Sequence, residues 1–471
     1  MMKKHRYLAL DVYLCIPKVC LIKNTAMEEY RSLIKLGFPV LITQIGVILV
    51  SFIDTAMVGA YGVSELASAA FVNSIFMIPV VMQMGFSQGT TPLIGALFGQ
   101  KKTTEIGRTL RSGIEVNFWI SVCFTIIMAG VFFLLPYFGQ DADLLPVIRP
   151  YYLAILPGLI PMALFNTCQQ TSNGLTDTRT PMWIILGANV LNIIGNYALI
   201  FGHFGFPEMG LLGAGLSTLA ARMAGAIAIL IFFAHANRFR PYWSEARNST
   251  DRSPERRRMW NTSYPVMIQC GLEVALWSFG AVACGWFGKV QLASYQVVNT
   301  IAQLGFMVFI SFGVATSIKV ANYTGKEDRG GVIRIARAGL SINILLATLA
   351  CLVFYLGGEH LIGLFSSDAE VVKNAMTLII PLILYQYMDA VQLTYANALR
   401  GTSKVKPLMF VAAAAYVAVG IPAAYLLGVT AGLANIGVYY SFSIALLVAA
   451  VLLWFYFRRA ARGIGAFVNK N

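Results

Sequence analysis

The chain has 471 residues, 58% of them hydrophobic and 12% charged, with a mean hydropathy of +0.69. Soluble domains carry about 25% charged residues, so this composition excludes both a disordered chain and a soluble globule. The formal charge of +14 gathers in short segments between apolar runs and forms no aromatic-interleaved stripe, which points to the lipid bilayer and away from a nucleic-acid partner.

Apolar runs longer than about 18 residues recur along the chain. They predict twelve helices, at 34–58, 65–98, 112–136, 147–173, 181–203, 210–236, 260–287, 292–323, 332–357, 370–399, 407–428 and 433–457. The expected fold class is therefore an all-α membrane protein. Lys and Arg alternate between its two faces. Seven precede the first helix through Lys35; Lys101, Lys102, Arg108, Arg111 and Arg179 follow on the same side. The central segment adds seven more, among them Arg238 and Arg252, and Lys326, Arg329, Arg334, Arg337, Arg400, Lys404, Lys406, Arg458, Arg459, Arg462 and Lys470 complete that side. Only Arg149, Lys289 and Lys373 face the other way, while Arg222 and Lys319 lie inside helices. The asymmetry predicts an even helix count and both termini in the cytoplasm of a cell whose plasma (inner) membrane holds the chain.

Residues 1–26 lack the ordered regions of a signal peptide. Met27 opens Glu28-Glu29-Tyr30-Arg31 just before the first span and is a candidate natural start. The expected organisation is an extension over 1–33, a lobe over 34–236, a basic linker over 237–259, a second lobe over 260–457 and a basic tail over 458–471. An internal repeat supports the two lobes. A shift of 226 residues aligns 38–102 with 264–328 without a gap. Pro39 falls on Pro265, Gly59 on Gly285, Leu66-Ala67-Ser68 on Leu292-Ala293-Ser294, and Gly99 on Gly325; farther along, Pro181 falls on Pro407. Each copy holds six helices, so the repeats are parallel and enclose a central cleft, the plan of an alternating-access transporter.

Of the 21 acidic residues, three stand at membrane depth: Asp54 in predicted helix 1, Glu273 in helix 7 and Asp389 in helix 10. An acid there costs roughly 2.5–3.5 kcal/mol on insertion scales, and such groups face a wet cavity or a partner. Low dielectric favours the protonated form of a carboxyl, which makes these three the candidate cation-coupling residues. The repeat places Asp54 on Gly280, Glu273 on Val47 and Asp389 on Ala163, so none has an acidic counterpart. The competing reading is an acid that merely stabilises a helix contact. Amides and a phenol at helical spacing accompany the acids: Gln269 and Tyr385 beside the C-lobe pair, Gln296, Asn299 and Gln303 along helix 8, and Asn189, Asn192 and Asn196 along helix 5. Each one alone reads as an interhelical hydrogen bond worth about 0.6 kcal/mol; together they read as the polar lining of two lobe cavities. Met77, Met82, Met84, Phe86, Trp286, Phe306 and Met307 offer adaptable apolar and aromatic surface. The seven cysteines show no metal spacing and no disulfide framework. No nucleophile elbow, phosphate loop or metal motif occurs, so neither a catalytic residue nor a cofactor is expected, although three acids leave an intramembrane aspartyl enzyme as a distant rival.

Several segments resemble the multidrug and toxic compound extrusion (MATE) family in its NorM-like branch. Phe38-Pro39-Val40-Leu41 and Phe52-Ile53-Asp54-Thr55-Ala56-Met57-Val58-Gly59 are similar to its helix 1, Leu272-Glu273 to its helix 7, and Asn189 to Asn196 with Tyr197 to its helix 5. Tyr385-Gln386-Tyr387-Met388-Asp389-Ala390-Val391-Gln392, followed by Leu399-Arg400-Gly401, resembles its helix 10 signature. The resemblance implies a monomeric antiporter that exports small amphipathic or cationic compounds as H+ or Na+ moves inward. It implies a cation site, for H+ or for Na+, at Glu273 and Asp389, and an N-lobe acid at Asp54 with Asn192 near it. Asn196 stands where archaeal and DinF-like relatives carry an acid, which shifts the weight to the C-lobe pair. A lipid-linked-sugar flippase of related two-lobe plan is the alternative, and a passive channel a more remote one.

Overall fold

The computed structural model describes residues 5–249, 253–366 and 368–465, with the backbone alone for 5–26, 142 and 253. Among the described residues eleven helices are long and apolar enough to cross a membrane, and one bent pair makes a twelfth span. They are α1 (Met27–Tyr61), α2 (Val63–Gly99), α3 (Thr103–Phe138), α4 (Leu145–Gly174), α5 (Arg179–Phe201) and α6 (Leu211–His235) in the first lobe. The second lobe holds α7 (Pro254–Trp286), α8 (Lys289–Gly325), α9 (Arg329–Gly363), α10 (Ala369–Thr377 with Ile379–Gly401, bent by 49°), α11 (Lys406–Thr430) and α12 (Ala434–Arg462). This is an all-α, multi-pass membrane protein with two parallel six-helix repeats. Large apolar side chains stand outward on both lobes, as Phe133 (75% exposed) and Leu356 (73%) do, a surface that only lipid would cover.

Several helices begin earlier than periodicity predicts. Residues 27–33, expected in the extension, continue α1: Leu33 is fully buried and Glu29 pairs with Arg334 at 2.9 Å. Arg108 and Arg111 lie on α3 and Arg256, Arg257 and Arg258 on α7, before the predicted starts of those helices. Local pairs support the polar start of α3: Lys102–Glu105 at 2.8 Å and Arg111–Glu115 at 3.0 Å are i,i+3 and i,i+4 neighbours. The linker also carries a short helix, Arg240–Asn248. Arg252 and Lys470, counted in the charge asymmetry, lie outside the described residues, as do the side chains of Cys15 and Cys20.

The repeat recurs in the turns. Lys101 (φ 60°) and Glu327 (φ 57°), 226 residues apart, both take the left-handed conformation that ends α2 and α8, uncommon for a residue with a side chain. Each lobe has its own core. Phe76, Tyr152 and Leu159 centre the first, and Tyr295, Tyr385, Tyr416, Tyr439 and Phe442 the second. The lobes meet through α1 against α8 and α2 against α7 and α8. Glycines allow this approach in the half of α2 nearest the basic residues, hereafter the basic face. Gly85 lies on Cys270, Gly89 on Ser263 and Gly95 on Ala321, and Gly99 and Gly325 each lie on backbone of the opposite helix. A Cβ at Gly99 would overlap the Asn322 carbonyl oxygen, and one at Gly325 the Ala96 carbonyl oxygen.

Candidate cation site

In the first lobe Asp54 of α1 faces α5 and is half-buried. Asn196, fully buried, donates from Nδ2 to its Oδ1 at 2.5 Å. Turned so that its nitrogen meets acceptors, the Asn192 amide donates to the same carboxyl at 2.9 and 3.3 Å, an orientation set by the hydrogen-bond network. Ser217 of α6 donates to the Asn192 carbonyl oxygen at 2.8 Å and holds that stretch of α5 in place. Asn192 and Asn196 are four residues apart, one turn, so both amides address one carboxyl. Asn189 is half-buried against Gly46 of α1, and its Nδ2 has no partner among the described residues. Arg222 lies against Gly158 of α4, within electrostatic range of Tyr151.

The second lobe is built differently. Asp389 is 1% exposed, and its Oδ2 has no hydrogen-bond partner among the described residues. Glu273 of α7 lies within electrostatic range of it. Tyr385, Gln386 and Gln392 surround Asp389 on α10 and are all buried. Gln386 donates to the Ala302 carbonyl of α8 at 3.2 Å, and Gln392 to the Tyr416 hydroxyl of α11 at 2.9 Å. The Oε1 atoms of both amides and the Tyr385 hydroxyl have no partner among the described residues. Trp277, one turn beyond Glu273, meets the Tyr385 ring edge-on at 5.3 Å. Buried polar atoms are normally satisfied. Unmatched oxygens of Asp389, Gln386 and Gln392 along α10 therefore suit a proton or a hard cation, for which oxygen is the donor.

Arg400 corrects the charge reading. Expected among the loop cations, it is 5% exposed at the end of α10. Its Nη2 donates to Gln269 Oε1 at 3.0 Å, and its Nη1 to Gln88 Oε1 on α2 of the other lobe. It also lies within electrostatic range of Glu273. A guanidinium divides its fork between two acceptors in a way a single ammonium cannot. Sequence did hold a signal for it: Arg400 follows Asp389 by eleven residues, about three turns, and so shares its helix face. Gln88, Gln392 and Tyr416 were not anticipated; nothing in local sequence marks Gln88 as the partner of a residue 312 positions away.

The helix 8 stripe does not converge on the acids. Gln296 and Gln303 are exposed, while Asn299 is half-buried with its Oδ1 unpartnered among the described residues. Gln269, by contrast, is buried and serves Arg400. Of the apolar candidates, Phe86 is buried, Met82 packs on Gly271, and Met307 receives the Gln44 amide at 3.3 Å, whereas Met77, Met84 and Trp286 are exposed.

Two duplicated six-helix lobes that bury carboxyls among amides define a two-lobe polytopic membrane protein of the transporter type. The sequence matches the MatE family over residues 39–198 and 265–426, one match per repeat, and the chain belongs to that family. Solved structures share the fold. The eukaryotic MATE transporter AtDTX14 is 20% identical, with a TM-score of 0.83 over 94% of this chain and 99% of that one. The Vibrio cholerae MATE transporter VcmN, in a mutant form, is 18% identical, with a TM-score of 0.82 over 93% and 98%. A MOP superfamily transporter from Pyrococcus furiosus is 16% identical, with a TM-score of 0.84 over 93% and 96%.

Proposed function

We propose that this MatE-family chain is a secondary active antiporter that exports amphipathic and cationic organic compounds as protons or sodium ions move inward. Its basic face then lies in the cytoplasm, and the membrane is the plasma (inner) membrane. The observation that carries the reading is the Asp389 carboxyl, sequestered beside Glu273 with an unmatched oxygen. An intramembrane acid without a structural partner is functional by default.

In this mechanism a cation entering from the far face settles between Glu273 and Asp389 and neutralises them. Arg400 feels the charge on Glu273 while its fork joins Gln269 to Gln88 of the other lobe. The occupancy of the carboxyl pair thereby biases the hydrogen bonds that span the lobes. A cation can shift the two arrangements only by its differential affinity for them, and Arg400 supplies the route. The Asp54–Asn196–Asn192 cluster forms a second, weaker cation site on the same path. One charge crossing is worth about 2.3 kcal/mol per 100 mV, enough for roughly a forty-fold gradient of a neutral substrate at that potential. A cationic substrate moving outward cancels part of this drive, so stoichiometry matters.

The test is ethidium efflux in everted vesicles carrying Glu273→Gln or Asp389→Asn, with proton and sodium gradients imposed separately. Either variant exporting at the normal rate overturns the mechanism, and the gradient that drives the native chain names the ion. The acidic, amide-rich lining favours cationic cargo over a lipid-linked sugar. Resistance of expressing cells to cationic dyes separates the antiporter from the flippase.

A further inference from the structure

At the basic face the two lobes enclose a cavity of about 480 Å3 that the cation site does not use. Lys101 and Thr176 wall it from the first lobe, Tyr242 from the linker helix, and Lys319, Tyr323 and Lys326 from the second lobe. Lys319 is half-buried, six residues or about 9 Å inside the Gly325 end of α8. The charges within its range are Lys326, Lys35 and Glu29, and Glu29 is already taken by Arg334 at 2.9 Å. The Lys326 ammonium stands 5.8 Å from the centre of the Tyr323 ring. Three ammonium groups thus line one cavity, none of them in an ion pair among the described residues.

The repeat argues against a generic basic surface. The positions related to Lys319, Lys326 and Lys101 by the 226-residue shift are Leu93, Gln100 and Glu327. The repeat-related positions therefore carry one apolar, one neutral and one acidic residue. Orienting the chain in a bilayer requires only that lysines lie on the correct side of the membrane. It does not require three from two lobes to converge on one cavity. Ammonium groups, a hydroxyl and phenols offer many donors to a compact anion with several acceptor oxygens, and charge-assisted bonds of this kind are the strong ones.

We propose that this cavity binds a phosphate-bearing anion, held by Lys101 from one lobe and Lys319 and Lys326 from the other. The phosphate belongs either to a lipid headgroup entering along the seam or to a free phosphate compound. Bound there, it ties the lobes at their basic ends and favours the arrangement in which those ends are together.

The experiment uses the full chain, purified in a neutral detergent, and follows thermal unfolding with inorganic pyrophosphate and, separately, with short-chain phosphatidylglycerol. Ligands that bind only the folded state raise the unfolding temperature. At least one probe is expected to raise it. The rise is lost in Lys319→Gln and in the Lys101→Gln/Lys326→Gln pair. It is kept in Lys319→Arg and in a Lys404→Gln/Lys406→Gln control at the same face. A response to pyrophosphate assigns the free phosphate, and a response to the lipid alone assigns the headgroup. No rise with either probe, an equal rise in the lysine variants, or an equal loss in the control pair overturns the proposal. The Lys101/Lys326 pair, at helix ends, keeps the test open should Lys319→Gln fail to fold.

Discussion

The two lobes share a backbone plan and differ in how they hold their acids. In the first, one half-buried carboxylate takes hydrogen bonds from two amides a helical turn apart, so Asp54 is already provided for. In the second, Asp389 is buried beside a half-buried Glu273, and oxygens of Asp389, Gln386 and Gln392 are left unmatched among the described residues. Duplication supplied the helices, and divergence at Val47, Ala163 and Gly280, the counterparts of the acids, supplied the chemistry. A satisfied carboxylate is a poor switch; an unsatisfied one has free energy to gain from a cation.

The largest effect that separates the lobes comes from giving each acid a neutral residue. Glu273→Val and Asp389→Ala install the repeat-related residues, and ethidium efflux is expected to fall at least about 100-fold, or about 2.7 kcal/mol. Asp54→Asn is expected to lower it less than about tenfold. An equal loss in Asp54→Asn would erase the distinction drawn between the lobes.

Arg400→Gln comes next. It leaves Gln269 and Gln88 without their shared donor, and stability should drop by about 1.5–3 kcal/mol, the range for hydrogen bonds to a charged group. Arg400→Lys should recover only part, since one ammonium cannot reach both acceptors; denaturation in detergent reads both variants. Gly99→Ala puts a methyl against the Asn322 carbonyl across the seam. Overpacking of this kind costs about 1–3 kcal/mol, measurable as a lower unfolding temperature together with slower efflux. Asn196→Ala removes one of two donors to the Asp54 carboxylate and should cost about 1.5–3 kcal/mol, whereas Gln386→Ala loses a bond to the neutral Ala302 carbonyl and should cost about 0.5–1.5 kcal/mol. Equal costs would show that the charge on Asp54 does not distinguish the two lobes.

How much of the site was legible depends on the residue. Glu273, Asp389 and Asp54 stand out because an acid in a long apolar run violates the expectation for lipid-embedded helices, and a one-dimensional pattern reveals that violation. Asn192 and Asn196 share a turn of α5, so local periodicity could place them together. Gln296 and Gln303 share a helical stripe as well, yet the structure leaves both exposed. Spacing assigns a face to a helix but not the neighbour that face will meet. Arg400 was misassigned for a related reason: its position near a helix end reads as a loop cation, and only the approach of α2 turns it inward. The helix starts of α3 and α7 lie before the predicted ones because hydropathy marks where lipid begins, whereas ion pairs such as Arg111–Glu115 and Arg256–Glu115 hold the polar turns beyond it.

Sequence alone determined the membrane class, the twelve spans, the duplication and the three out-of-place acids, because each is written in composition or in a fixed offset along the chain. Only the tertiary structure decided which acids were left unmatched, which arginine joins the lobes, and that Lys101, Lys319 and Lys326 meet across one seam. Those facts depend on contacts between residues far apart in sequence, and such contacts arise from helix packing, which no local pattern encodes.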